Sequence, residues 1–141
     1  MGKPTIILHI DDDTDDLELV KEAFTEIDPS LVLWQSNKGE DALVLLQQSK
    51  ESGNLPAMII LDMNMPPLNG KDILLEIRNI PEFAAIPVTL FTTSTSVNDK
   101  EFAHREGIRF ITKPSRQAEL IERLKSTLPG YIDSSLRGKL P

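Results

Sequence analysis

The stretch Met58–Gly70 reads MIILDMNMPPLNG. Four apolar residues, Met58 to Leu61, run without polar interruption into a single acid, Asp62, and a turn-rich segment then leads to Gly70. A continuous apolar run closed by turn signals predicts a strand buried on both faces. Asp62 then stands at its C-terminal end, the edge at which open parallel α/β sheets bind ligands. A carboxylate in that place is a candidate for chemistry.

Working outward, the same pattern recurs. Thr5–Ile10 (TIILHI) is a second apolar run, ending abruptly in Asp11, Asp12 and Asp13. A helix is expected from about Asp15, its first-turn acids favoured by the helix dipole and its stripe made by Leu17, Val20, Phe24 and Ile27. Asp28-Pro29 ends it. Leu31–Trp34 predicts a strand, followed by a helix carrying Ala42, Leu43, Leu45 and Leu46 that Ser52-Gly53-Asn54 and Pro56 break. After Asp62 a helix is expected over Gly70–Asn79, with Ile73, Leu74 and Ile77 inward. Val88–Thr92 (VTLFT) is a fourth strand, bracketed upstream by Pro81 and Pro87 and ending in Thr92, Thr93 and Ser94. A polar fourth helix, Val97–Glu106, has only Val97, Phe102 and Ala103 to bury before Gly107 stops it. Ile108–Thr112 is a fifth strand ending in Lys113-Pro114, and the helix Gln117–Leu128 turns Ala118, Ile121, Leu124 and Leu128 inward until Pro129-Gly130. Five alternations of strand and helix predict a doubly wound α/β domain over residues 1–128, a parallel sheet with right-handed crossovers and helices on both faces. Residues 129–141 are read as a short tail with no output domain.

Composition narrows the function classes. A net charge of −7 argues against a nucleic-acid surface, which needs clustered Lys and Arg. The absence of cysteine excludes disulfides, thiolate metal sites and thiol nucleophiles. No apolar run approaches the ~20 residues of a membrane span, and MGKPTIILHIDDD is no secretory signal. The expected setting is cytoplasmic, with neither membrane nor nucleic acid as partner.

Three strand ends carry groups that act together: Asp11, Asp12 and Asp13 on the first, Asp62 on the third, Lys113 on the fifth, with Thr92 closing the fourth. Crowded carboxylates repel and call for a cation. Oxygen ligands without His or Cys suit a hard ion, Mg²⁺ ahead of Ca²⁺. A lysine suits phosphoryl oxygens, to which the Thr92 hydroxyl is a possible donor. A carboxylate nucleophile, a metal and a fixed ammonium are parts for phosphoryl transfer.

In this order and spacing, HIDDDTDD, IILDMNMPPLNG, LFTTS and FITKP resemble the receiver domain of two-component response regulators, over about Thr5 to Leu128. The resemblance implies a flavodoxin-like sheet of order 2-1-3-4-5 and a stand-alone switch. It implies Asp62 as phosphoacceptor, Asp11 and Asp12 as the acidic pair positioning Mg²⁺, and Asn64 as the residue whose main-chain carbonyl completes the metal shell. Lys113 matches the lysine that pairs with phosphoryl oxygens, Thr92 the switch hydroxyl and Phe110 the switch aromatic. A cis peptide before Pro114 is implied as well. The implied donor is a histidine kinase or phosphotransfer domain, and the implied output a protein partner or a second copy of the chain. The partner or second copy would meet the face of helix four, strand five and helix five. Receivers catalyse their own phosphorylation and dephosphorylation, so no turnover class is assigned. Thr93 stands where a smaller residue is common, Ser115 replaces a frequent aromatic, and Asn64 and Ser94 occupy variable positions bearing on phosphoryl lifetime.

Other readings of the same residues are weaker. Asp11–Asp16 alone would pass for a solvated N-cap cluster. Asp11, Asp13, Asp15 and Glu22 match EF-hand positions, but Asp16 stands where that loop needs Gly. A haloacid-dehalogenase-like phosphatase is disfavoured because Asp15 breaks its pattern. A degenerate receiver, binding partners without being phosphorylated, is disfavoured by the intact acidic set. His9 is expected to be a hydrogen-bonded core histidine, His104 exposed, and Met58, Met63 and Met65 packing residues.

Overall fold

The computed structural model describes residues 4–65, 69–93 and 95–128. Ser94 and the tail 129–141, with the stop at Pro129-Gly130, lie outside the described residues. Strands and helices alternate as β1 (Ile6–Ile10), α1 (Thr14–Ile27), β2 (Val32–Ser36), α2 (Gly39–Ser52), β3 (Met58–Leu61), α3 (Gly70–Asn79), β4 (Val88–Thr92), α4 (Val97–Arg105), β5 (Arg109–Thr112) and α5 (Gln117–Lys125). All neighbouring strands pair parallel, in the order β2-β1-β3-β4-β5. This is the expected flavodoxin-like order.

Side-chain alternation along the strands divides the core into two layers. On one face Leu8, Ile10, Ile59, Leu61, Val88 and Leu90 pack with α2, α3 and α4 through Ala42, Leu46, Ile73, Leu74, Ile77, Phe102 and Ala103. On the other Ile7, Met58, Ile60, Phe91 and Ile111 pack with α1 and α5 through Val20, Ala23, Phe24, Leu120 and Leu124. The three inner strands β1, β3 and β4 are buried along their whole length, which is why they read as unbroken apolar runs.

β2 extends past Trp34 to Ser36 because Gln35 and Ser36 still pair with His9 and Ile10, and an edge strand tolerates such polar residues. Ile108 precedes β5 and bonds back to the Ala103 carbonyl at 3.0 Å. α5 ends at Lys125, and the hydroxyls of Ser126 and Thr127 each donate to a last-turn carbonyl at 2.6 Å. One residue expected inside is outside. Ala118 is exposed, the buried stripe of α5 being Leu120 and Leu124, and Val97 is 66% exposed at the start of α4. Phe83, in the turns between α3 and β4, is fully buried and carried no periodic signal.

Candidate active site

Parallel register brings the ends of β1, β3, β4 and β5 to one edge. Asp62 follows β3 directly, its amide donating to the Ile10 carbonyl at 2.9 Å, and the Asp11 amide donates to the Ser36 carbonyl at 3.0 Å. These bonds continue the ladders one residue beyond the strands and fix both acids side by side. Asp11 is fully buried and Asp62 nearly so, while Asp12 is exposed. Asp11, Asp12 and Asp62 bring one carboxylate oxygen each within 4.8 Å of one another. Asp13 does not join them; it caps α1, accepting from the amides of Asp15 at 2.9 Å and Asp16 at 3.3 Å. The N-cap reading of the acidic run thus holds for Asp13 and fails for Asp11.

Gly70 closes the floor of the site. A Cβ there would lie 2.4 Å from the Asp62 carbonyl oxygen and 2.9 Å from Met63 Cα. Its amide donates to the Met63 carbonyl at 2.9 Å. Only glycine lets α3 begin this close to the end of β3.

Lys113 enters from β5, its amide donating to the Thr92 carbonyl at 2.8 Å. Its Nζ lies 2.6 Å from Asp16 Oδ2, 2.9 Å from Asp11 Oδ2 and 3.5 Å from Asp62 Oδ2. The ring of Phe91 lies beneath, 5.5 Å from Nζ to its centroid. Thr92 is fully buried at the end of β4. Phe110, half-buried on β5, packs against the same layer as α4. The Asn64 amide donates to Asp62 Oδ1 at 3.3 Å.

Electrostatics set the two buried acids apart. Burial, and then the neighbouring Asp11 charge, push Asp62 up to about 7, against the opposing pull of Lys113 and the Asn64 amide. Burial pushes Asp11 upward as well, but His9, the Asp13 amide and Lys113 outweigh it and bring this carboxyl down to about 2. Lys113 is raised by Asp16, Asp11 and Asp62 in spite of its burial, so it is a permanent cation. Asp11 Oδ2 and His9 Nε2 are buried 3.5 Å apart without a well-aligned hydrogen bond. A buried carboxylate oxygen shared with one lysine, beside two further acids in an all-oxygen donor set, fits a hard divalent cation. Asp11, Asp12 and Asp62 are the residues that would hold it.

The sequence matches the profile of the response regulator receiver domain over residues 7–125. The chain belongs to this family. The response regulator Rcp1 of Synechocystis sp. is 36% identical, the match covering 93% of this chain and 91% of the relative. The crystal structure of the phosphorylated cyanobacterial phytochrome response regulator RcpA superposes with a TM-score of 0.77 at 25% identity, covering 88% of this receiver and 91% of that chain. The Mn²⁺-bound form of Rcp1 superposes with a TM-score of 0.75 at 27% identity, covering 90% and 100%.

Among the described residues the receiver gathers Asp11, Asp12, Asp62 and Lys113 at one point and sets Thr92 at the adjoining strand end. Asp16 is the residue that sequence reasoning missed. Its partner lies 97 positions away, and its place in a helix's first turn already explained an acid there. His9 is buried, its Nδ1 3.2 Å from the Gln35 amide nitrogen, and packs edge-on to Phe91. His104 is exposed, and Met58, Met63 and Met65 are core residues.

Proposed function

We propose that this receiver takes a phosphoryl group onto Asp62 from a histidine kinase or phosphotransfer domain, and thereby controls the binding of a protein partner. The observation that carries this reading is a group of three carboxylates within 4.8 Å of one another, two of which meet a lysine ammonium. An Asp62 oxygen attacks the phosphorus of a phosphohistidine, the P–N bond breaks, and the imidazole nitrogen leaves with the electron pair. Later attack of water on phosphorus releases inorganic phosphate and regenerates the carboxylate. Lys113, 3.5 Å from Asp62 Oδ2, is placed to neutralise charge on the phosphoryl oxygens. When bound at Asp11, Asp12, Asp62 and the Asn64 main-chain carbonyl, Mg²⁺ would supply Lewis acidity to those same oxygens.

Thr92 is the hydroxyl proposed to move toward the phosphoryl group, and Phe110 the aromatic that turns inward behind it. Both adjoin α4, β5 and α5, so that face is where a partner or a second copy of the chain would sense the change. Similarity to a phytochrome response regulator makes a phytochrome-type sensor kinase the first donor to test. The match across 91% of Rcp1 supports a regulator of the Rcp1 kind.

The test is intact-mass spectrometry after acetyl phosphate treatment, with Mg²⁺ and with EDTA, on wild type and Asp62→Asn. One phosphoryl adduct that requires both Mg²⁺ and Asp62 is expected. No adduct and no Mg²⁺-dependent beryllofluoride binding would instead favour a receiver that binds partners unphosphorylated.

A further inference from the structure

Lys113 has three carboxylates within 3.5 Å, and its shortest contact is to a residue outside the phosphoryl-transfer set. We propose that Asp16 is a positioning residue, tethering the Lys113 ammonium to α1 so that it does not close on Asp62, whose oxygens stay open to a cation and a phosphoryl donor.

The geometry distinguishes Asp16 from its neighbours. Asp15 and Asp16 both occupy the first turn of α1, where either would favour the helix dipole, yet Asp15 is exposed and Asp16 meets the lysine. The side chains of Asp16 and Lys113 are 24% and 10% exposed, so solvent and salt screen this pair less than a surface pair. The 2.6 Å contact is a hydrogen bond from Nζ to Oδ2, whereas Asp62 lies 3.5 Å away. The lysine main chain is pinned by its bond to Thr92, and Phe91 lies under the ammonium. What remains free is the swing of Nζ between α1 and β3.

Without Asp16 the remaining acceptors are Asp11 and Asp62, two of the three residues that gather for a cation. The ammonium would then settle between them, and two positive charges would compete for the same oxygens. With Asp16 present the lysine is shared between Asp16 and Asp11 and stands 3.5 Å off Asp62, close enough to cross when phosphoryl oxygens bring new negative charge. This inference rests on the phosphoryl-transfer reading of the site and names a residue that reading does not contain.

The experiment is isothermal titration of Mn²⁺ into wild type, Asp16→Asn, Lys113→Ala and the double variant at neutral pH, with circular dichroism to confirm folding. Asp16→Asn is expected to weaken Mn²⁺ binding roughly 10-fold, in the range of residues that position metal ligands. In the Lys113→Ala background the same change should alter affinity less than about twofold, because the tethered group is gone. Asp16→Glu should recover part of the loss, and Asp16→Ser repeats the comparison if the Asn variant folds poorly. Unchanged affinity in Asp16→Asn, or an equal loss in both backgrounds, would overturn the tether. Wild type that binds Mn²⁺ through Asp62 but ignores Asp16 overturns the tether alone. Wild type that binds no Mn²⁺ overturns the metal-dependent reading together with it.

Discussion

Asp62 combines the roles of buried acid and proposed nucleophile, and the two conflict. Burial and then Asp11 raise it from its usual 3.8 to about 7, so the folded chain holds this proton more tightly than the unfolded chain does. Stability from this group is full below about pH 4 and is lost as the pH rises through about 7. Asp11, lowered to about 2, works in the opposite direction, but its contribution is lost only in acid, below its usual 3.8. Between about pH 4 and about pH 7 Asp62 therefore dominates. Urea denaturation of the metal-free protein should show stability falling across that window. Asp62→Asn should flatten the profile and leave the variant more stable at the alkaline end, by on the order of 1–3 kcal/mol. Gly70→Ala makes a second residue-scale prediction. The added Cβ would meet main chain, not a yielding side chain, at 2.4 Å. Denaturation should register a loss of about 2–4 kcal/mol, and Mn²⁺ titration a weaker site, because the atom displaced is the Asp62 carbonyl.

Among the elements, α4 is the least anchored. It buries Phe102 and Ala103 and leaves Val97 largely in solvent. Lys71 at the start of α3 holds it from the side, with Nζ 3.1 Å from Asp99 Oδ1 and 5.3 Å from the centre of the Phe102 ring. Hydrogen exchange should show α4 amides opening at least ~100-fold more readily than those of β1 and β3. Lys71→Met should speed α4 exchange about 3- to 10-fold while leaving the central strands unchanged, since an ion pair and a cation–π contact of this exposure are worth about 1 kcal/mol together. The elements also show what was legible in the sequence. The bounds of α3 and β4 follow from their apolar spacing and turn residues, because burial on one stripe or on both faces leaves a periodic trace. Ala118 was misplaced because alanine reads as apolar wherever it stands, whereas Leu120 and Leu124 have the bulk to define the stripe. The site was legible where a strand end announces itself, at Asp11, Asp62, Thr92 and Lys113. It was silent at Asp16, whose role comes from a tertiary contact without periodicity.

For the whole molecule, acid outweighs base at the site as it does over the chain. Asp11, Asp16 and Asp62 surround one lysine, Asp12 stands beside two of them, and the net charge is −7. A cation that binds only the folded arrangement must stabilise it. Thermal unfolding should shift upward with Mg²⁺, by about 2.7 kcal/mol at a hundredfold excess over the dissociation constant. EDTA should reverse the shift, and equal ionic strength from NaCl should not reproduce it. On the far side of the sheet, Leu124→Ala should cost about 2–4 kcal/mol by opening a cavity between α5 and the strands. The Mn²⁺ affinity of the folded fraction should not change.

The fifth strand has a consequence for the newborn chain. Among the described residues β5 is the last strand to leave the ribosome, and the site's lysine follows it directly. Until it docks on β4, the earlier strands can bring only acids to the shared edge. A nascent or truncated chain therefore holds a mutually repelling cluster that the lysine of the finished protein partly neutralises. Competence for chemistry therefore waits on the docking of β5, and a copy cut short of Lys113 would lack the cation that the proposed transfer needs.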